Sequence, residues 1–104
     1  MDSNIFSSIQ KTLPNAAGIY KYYNTEGTLL YIGKAKNIRK RVSSYFTNSK
    51  LSHKTHELVK QVASIEFTIV DSEHDALLLE NSLIKEFRPK YNIVLKDDKT
   101  YPIS

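Results

Sequence analysis

Two short runs of aromatic and β-branched residues flank a polar link near the start of the chain. They cover residues 17–23 and 28–33, and the link, residues 24–27, ends in a glycine that can take positive φ. This pattern predicts a β-hairpin, because strands of this composition pair across short turns that contain glycine. A third run, residues 65–70, alternates at first between apolar and polar positions, so we expect it to join the same sheet.

Helical patterns account for most of the remaining chain. The strongest covers residues 73–87, where Ser72 stands three residues before Asp75, as in a capping box, and Pro89 follows the end. Further helices are predicted over residues 37–45 and 54–63, and a short one near residues 4–10. The length of 104 residues predicts one domain with a core large enough to fold unaided.

A symmetric four-residue link would give the hairpin a defined register. Tyr20 then lies opposite Tyr31 and Gly18 opposite Gly33, with paired Cβ atoms about 5 Å apart on one face of the sheet. Two phenols would stand beside two positions that have no side chain, which is expected where a ligand or another backbone approaches closely. A packed tyrosine pair at a bend in the sheet explains the same pattern, so both interpretations stay open at this point.

Five cations in eight residues, with no acid among them, follow the second predicted strand. They are Lys34, Lys36, Arg39, Lys40 and Arg41, and Asn37 begins a predicted helix among them. Lysine, arginine and the free N–H groups of a helix N-terminus all favour phosphate. The charge is also uneven along the chain, at +7 for residues 1–60 and −3 for residues 61–104. We therefore expect a polyanionic partner, most simply nucleic acid, with a solvated basic face as the alternative.

Glu80 is the most informative single residue of the sequence. Within about 60° of it on the helical wheel lie five apolar residues, namely Ala76, Leu77, Leu83, Ile84 and Phe87. An ionised carboxylate in an apolar stripe is costly unless it is paired or binds a metal. Glu80 is therefore expected either to form a buried ion pair, with Arg88 or a lysine, or to have a metal-binding or catalytic role.

The sequence excludes cysteine chemistry and argues against a membrane span and a signal peptide. The chain has no cysteine, which rules out disulfides, thiolate zinc sites and cysteine nucleophiles. No apolar run approaches the roughly 18–20 residues of a membrane span, so no membrane partner is expected. The first residues have neither the basic start nor the apolar run of a signal peptide, which predicts a cytoplasmic location.

The tripeptides Gly-Ile-Tyr at residues 18–20 and Tyr-Ile-Gly at residues 31–33 resemble the pair that names the GIY-YIG endonuclease superfamily. More specific matches include residues 13–14, 31–37, 79–85, 88–92 and 95–102, together with Arg41. Taken together, these segments are similar to the N-terminal domain of the bacterial UvrC family, the incision subunits of the excinuclease of nucleotide excision repair. The similarity extends over nearly the whole chain.

This resemblance implies a small α+β domain with a three-stranded antiparallel sheet flanked by helices. It also implies a metal-dependent endonuclease that hydrolyses a phosphodiester bond of damaged duplex DNA on the 3′ side of the lesion. One divalent cation, Mg²⁺ or Mn²⁺, would be held by Glu80, and Tyr31 would act as the general base with Tyr20 beside it. Lys34 and Arg41 would lower the pKa of the phenol, and Arg41 would stabilise charge on the phosphoryl group.

The resemblance assigns further residues to binding and support. DNA contacts are expected from Lys36, Asn37, Arg39 and Lys40, and supporting roles from Gly33 and Asn92. Because the full-length proteins of the family have more domains, residues 1–104 are expected to be one excised domain of a longer protein, whose partner is the damage-recognition subunit of the excinuclease. A non-catalytic nucleic-acid-binding module and another stand-alone nuclease of the superfamily remain as alternatives.

Overall fold

The computed structural model describes residues 3–47 and 53–93. The elements follow one another as α1 (Ser3–Gln10), β1 (Gly18–Tyr23), β2 (Leu29–Ala35), α2 (Ile38–Thr47), α3 (His53–Gln61), β3 (Ser64–Ile69) and α4 (Glu73–Phe87). The strands form one antiparallel sheet in the order β2-β1-β3, which confirms the predicted α+β fold with flanking helices. The matching segment at residues 95–102 lies outside the described residues. None of the helices in the described ranges is long and apolar enough to cross a membrane.

The two faces of the sheet carry separate cores, because successive side chains of a strand point to opposite faces. One core joins the tyrosines of β1 and β2 to helices α1, α2 and α3, and it includes Phe6, Leu13, Val42 and Leu58. The other lies under α4, where Ile19 and Ile32 pack against Ala76. Strand β2 forms one edge of the sheet. Helices α2 and α4 both contact β2, and they belong to the cores on opposite faces of the sheet.

The hairpin register differs by two residues from the predicted one. The pairs in the structure are Tyr20 with Gly33, Tyr22 with Tyr31 and Gly18 with Ala35. A shift of one residue would have moved every side chain to the other face, whereas a shift of two keeps each on its own face. Tyr20 and Tyr31 therefore still share a face, although Tyr31 lies opposite Tyr22.

The cause of this difference lies in the loop. The side-chain oxygen of Asn24 accepts hydrogen bonds from the backbone N–H groups of Glu26 and Thr28, both at 2.9 Å. This arrangement extends the loop to five residues, so that Tyr23 pairs with Leu29. A register irregularity just before Tyr23 shifts the preceding pairs by one further residue.

Helix α4 has the predicted bounds because signals at both ends fix it locally. At its start, the Ser72 hydroxyl accepts a hydrogen bond from the backbone N–H of Asp75 at 3.3 Å. At its end, Arg88 takes a left-handed conformation with φ of 45°, and its N–H donates to the carbonyl of Ile84 at 2.8 Å. The helix thus ends at Phe87, and Arg88 separates it from Pro89.

Candidate active site

Four tyrosines from three elements pack into one group, the tyrosine cluster. Tyr20 and Tyr22 come from β1, Tyr31 from β2 and Tyr45 from α2. The ring centroids of all six pairs lie 5.2–6.4 Å apart. The structure therefore brings together the two predicted tyrosines and adds two more.

Polar contacts connect the cluster to Arg41. The Tyr20 hydroxyl donates a hydrogen bond to the Tyr45 hydroxyl at 3.2 Å. The guanidinium carbon of Arg41 lies 5.8 Å from the centre of the Tyr45 ring, and the neighbouring Tyr20 raises the pKa of Arg41. The sequence interpretation missed Tyr45, although it stands four residues after Arg41 in a helix predicted to reach residue 45, a spacing that puts both on one helix face.

Burial sets the protonation of these phenols. It is the main cause that raises the pKa of Tyr20 and of Tyr22 well above the ordinary value. Burial also raises the pKa of Tyr31, reinforced by Tyr45 and by the carboxylate of Glu80, whereas Arg41 acts in the lowering direction. The field of Arg41 thus has the expected sign, but burial outweighs it, and the phenol of Tyr31 is neutral at physiological pH.

At both glycines of the tripeptides, neighbouring groups approach the backbone so closely that a side chain would not fit. A Cβ at Gly33 would overlap the Cζ atom and the hydroxyl of Tyr20. A Cβ at Gly18 would overlap the carbonyl oxygen of Thr68 and lie 2.8 Å from the Ile38 side chain. Glycine at both positions therefore allows a neighbouring strand or ring to pack directly on the backbone.

Glu80 lies half-buried on α4, one turn from Ala76 and from Ile84. The apolar stripe differs in part from the predicted one, since Leu77 is 38% exposed and Leu79 packs into the core instead. Glu80 therefore stands at the border of the stripe, where solvent reaches it. Its carboxylate is near enough to Tyr31 to raise the pKa of that phenol.

A partly exposed carboxylate is a suitable ligand for a hard divalent cation that keeps several water molecules. Across residues 3–47 and 53–93, no group of three or more histidine, cysteine or acidic side chains is placed to hold a metal ion. The half-buried carboxylate of Glu80 fits a cation that takes its other ligands from water and substrate oxygens.

A cavity of about 560 Å³, the basic cleft, opens beside this site. Its lining includes the cations Lys34, Lys36, Lys40 and Arg41 together with Glu73 and Ala76 of α4. Four of the five predicted cations therefore converge on one surface. Their positive charge suits the phosphate backbone of a nucleic acid.

Asn37 and Arg39 make contacts that belong to the fold. Asn37 lines the basic cleft, but its side-chain oxygen accepts the N–H of Lys40 at 3.0 Å and thereby caps α2. Arg39 donates from Nε to the carbonyl of Leu13 at 2.8 Å and from Nη2 to that of Lys11 at 3.2 Å. These bonds tie α2 to the segment after α1, a role different from the DNA contact predicted for Arg39.

Asn92 closes the free edge of β2. Its side-chain oxygen accepts the backbone N–H of Ile32, and its amide nitrogen donates to the carbonyl of Ile32, both at 2.8 Å. The side chain takes the place of a neighbouring strand at this point of the sheet. The structure therefore places Asn92 where it supports the strand that carries Tyr31.

Gly-Ile-Tyr and Tyr-Ile-Gly on adjacent antiparallel strands, with Glu80 on the helix behind them, form the arrangement of a GIY-YIG nuclease domain. The chain belongs to the UvrC-like GIY-YIG domain family, whose sequence profile matches residues 16–93. It is similar to the UvrABC system protein C of Cytophaga hutchinsonii, with 55% identity over 96 residues. It is also similar to that of Porphyromonas gingivalis, with 57% identity over 94 residues. These alignments cover 91% and 90% of this chain but 16% of each relative.

Among solved structures, the chain is similar to the GIY-YIG N-terminal endonuclease domain of UvrC from Thermotoga maritima, bound to its catalytic divalent cation, magnesium. The TM-score is 0.75 at 34% identity, and the match covers 88% of this chain and 98% of that one. Point mutants of the same domain, three with tyrosine replaced by phenylalanine and one with asparagine replaced by alanine, match at TM-scores of 0.74–0.75. The likeness thus extends over nearly the whole of that domain.

Proposed function

We propose that this chain is a metal-dependent endonuclease domain that hydrolyses a phosphodiester bond in DNA. One observation carries the proposal: the charges of Glu80 on α4 and Arg41 on α2 both act on the same phenol, that of Tyr31 on β2. A carboxylate, a cation and a proton-transfer group thus converge from three elements beside the basic cleft. The similarity to a UvrC endonuclease domain that binds magnesium supports the same chemistry.

Glu80 would hold the divalent cation, Mg²⁺ or Mn²⁺. When bound, such a cation polarises a phosphate and stabilises the leaving oxygen. The half-buried position of Glu80 favours this role, because a partly exposed carboxylate can bind a cation that keeps water among its ligands. Lys34, Lys36 and Lys40 would hold the neighbouring backbone phosphates through their ammonium groups.

Tyr31 is the proposed general base. In its phenolate form Tyr31 would accept the proton of the attacking water and become a neutral phenol, and Arg41 favours the phenolate because it acts to lower the pKa of Tyr31. Tyr45 and Tyr20 would hold the ring of Tyr31 by packing against it, and the hydrogen bond between their own hydroxyls would fix them to each other. Arg41 would in addition stabilise the charge that develops on the phosphoryl group.

The decisive experiment replaces Glu80 and measures cleavage of nicked or lesion-bearing duplex DNA in Mg²⁺ or Mn²⁺. Glu80→Gln keeps the size of the side chain, and we expect it to lower the rate by about 10²-fold or more, because the charged ligand is lost. Glu86→Gln is the matched control, since it makes the same charge change on an exposed part of the same helix. Equal rates for the parent and Glu80→Gln would refute the metal assignment.

A second candidate function is nucleic-acid binding without catalysis. It is favoured by the basic cleft, whose cations need no metal to attract phosphate, and by the neutral state of Tyr31. It predicts salt-dependent duplex binding that Glu80→Gln leaves unchanged, and no cleavage with any divalent cation. The cleavage assay of Glu80→Gln separates the two functions.

We propose further that the domain acts in nucleotide excision repair, as the part of a longer cytoplasmic protein that makes the 3′ incision. The chain spans about one sixth of the length of its UvrABC system protein C relatives, so damage recognition would come from other domains and from the damage-recognition subunit of the excinuclease. This predicts faster cleavage of lesion-bearing DNA within the longer protein when the damage-recognition subunit is added. An undiminished rate without that subunit would count against it as the partner.

A further inference from the structure

An acidic side chain, Glu73, faces the cations of the basic cleft. Its Oε1 atom lies 3.6 Å from Nζ of Lys36, and the two side chains are 52% and 84% exposed. Exposed ion pairs of this kind contribute little to stability. The pair is therefore easily opened by a competing anion, which reaches it directly from solvent.

Glu73 lies on the same helix as Glu80, the proposed metal ligand. Glu73, Ala76 and Glu80 stand at positions i, i+3 and i+7 of α4, so they share one face of the helix. Two helical turns separate Glu73 from Glu80, a rise of about 10 Å. A phosphate at the Glu73 end of the cleft is thus a different one from a phosphate at Glu80, a few nucleotides along the strand.

We propose that Lys36 and Lys40 bind a second, non-scissile backbone phosphate, and that the carboxylate of Glu73 competes with this phosphate for Lys36. The inference rests on the proposed function, because it takes DNA as the substrate. DNA enters this end of the cleft by displacing Glu73 from Lys36, and the freed carboxylate then repels the phosphate. Glu73 therefore lowers the affinity of the domain for duplex DNA.

The test measures binding of a fluorescent 20-base-pair duplex by anisotropy, without divalent cations, over a series of salt concentrations. Glu73→Gln is expected to bind about 3- to 10-fold more tightly than the parent, because one negative charge leaves the site. Lys36→Gln is expected to bind more weakly and to flatten the slope of log K against log salt by about 1. When Lys36→Gln is already present, adding Glu73→Gln should raise the affinity for the duplex by a smaller factor, because the lysine for which Glu73 competes is absent.

Glu86→Gln is the matched control, because it makes the same change in net charge on the same helix. Glu86 lies 13 positions from Glu73, which places it on the opposite side of α4. Equal gains from Glu86→Gln and Glu73→Gln would overturn the inference, since net charge alone would explain them. An equal gain from Glu73→Gln with and without Lys36 would overturn the competition for Lys36.

The cleavage assay of Glu80→Gln keeps this inference separate from the proposed function. A parent that cuts DNA in a Glu80-dependent way, with no binding gain from Glu73→Gln, refutes the competition and supports the nuclease. The predicted gains together with no cleavage in any divalent cation refute the nuclease and support the competition. Failure of both the parent and Glu73→Gln to bind duplex DNA overturns the inference whatever the cleavage assay gives.

Discussion

The ring of Tyr20 lies over the Cα atom of Gly33, in the space that a side chain at residue 33 would fill. A Cβ there would overlap the Cζ atom and the hydroxyl of Tyr20 and would come within 2.8 Å of Cε2. The same hydroxyl donates to Tyr45. The absence of a side chain at Gly33 therefore sets the position of a polar group in the tyrosine cluster.

Gly33→Ala should accordingly disturb both stability and cleavage. We expect a loss of about 1–3 kcal/mol in the free energy of unfolding, because the ring must move within a packed core. Cleavage should fall at least about 10-fold, since the Tyr20 hydroxyl leaves its partner. Urea unfolding and the duplex cleavage assay measure the two effects.

Gly27→Ala provides the control for that substitution. Gly27 has φ of 81° and nothing within 4 Å of an added Cβ, so alanine is strained there without crowding a neighbour. It should cost about 1–2 kcal/mol and leave the cleavage rate unchanged. Parental stability and cleavage for Gly33→Ala would contradict the packing of Tyr20 on Gly33.

Local signals made most of the fold predictable from the sequence. Helix α4 has the predicted bounds because Ser72 and Pro89 act within a few residues of its ends. The hairpin was predictable as a hairpin, but its register depends on two hydrogen bonds of the Asn24 side chain and on an irregularity beside Tyr23. Composition does not encode either feature in an obvious way.

The site residues that belong to a sequence motif were predictable, whereas those brought to the site by tertiary packing were less so. Tyr20, Tyr31 and Arg41 meet as expected from the resemblance. Tyr45 joins them because α2 packs across the sheet, and that tertiary contact leaves only a weak trace in the i, i+4 spacing from Arg41. Arg39 resembles its basic neighbours in sequence, yet the carbonyl groups it binds lie more than 20 residues away along the chain.

Asn92→Ala should destabilise the fold by about 1–3 kcal/mol, because the N–H and C=O groups of Ile32 lose their partner at the edge of β2. Urea unfolding measures the loss. Asn81→Ala, on an exposed part of α4, is the control and should stay within about 0.5 kcal/mol of the parent. A variant of Asn92 that loses cleavage but keeps full stability would instead favour a role in the water shell of the metal.

Tyr22→Phe should stabilise the protein. The Tyr22 side chain is fully buried, and its hydroxyl has no hydrogen-bond partner within the described residues. Removing an unsatisfied buried hydroxyl should raise the free energy of unfolding by about 1–2 kcal/mol. Tyr91→Phe is the matched control: its hydroxyl accepts a 2.6 Å hydrogen bond from Gln61, so the same change there should cost about 1 kcal/mol. A loss of stability in Tyr22→Phe would show that this hydroxyl has a partner.

The tyrosine cluster should make the protein sensitive to alkali. Burial raises the pKa of Tyr20, Tyr22 and Tyr31 above the ordinary value near 10, so above about pH 10 the unfolded chain loses protons that the folded chain retains. The contribution of these phenols to stability should therefore be constant up to about pH 10 and then fall by about 1.4 kcal/mol per pH unit for each of them. Urea unfolding between pH 8 and about pH 11 measures this slope, and Tyr22→Phe should reduce it by one phenol's share. Equal slopes for the parent and Tyr22→Phe would contradict the prediction, because they would show that the buried Tyr22 ionises as readily in the folded protein as in the unfolded chain.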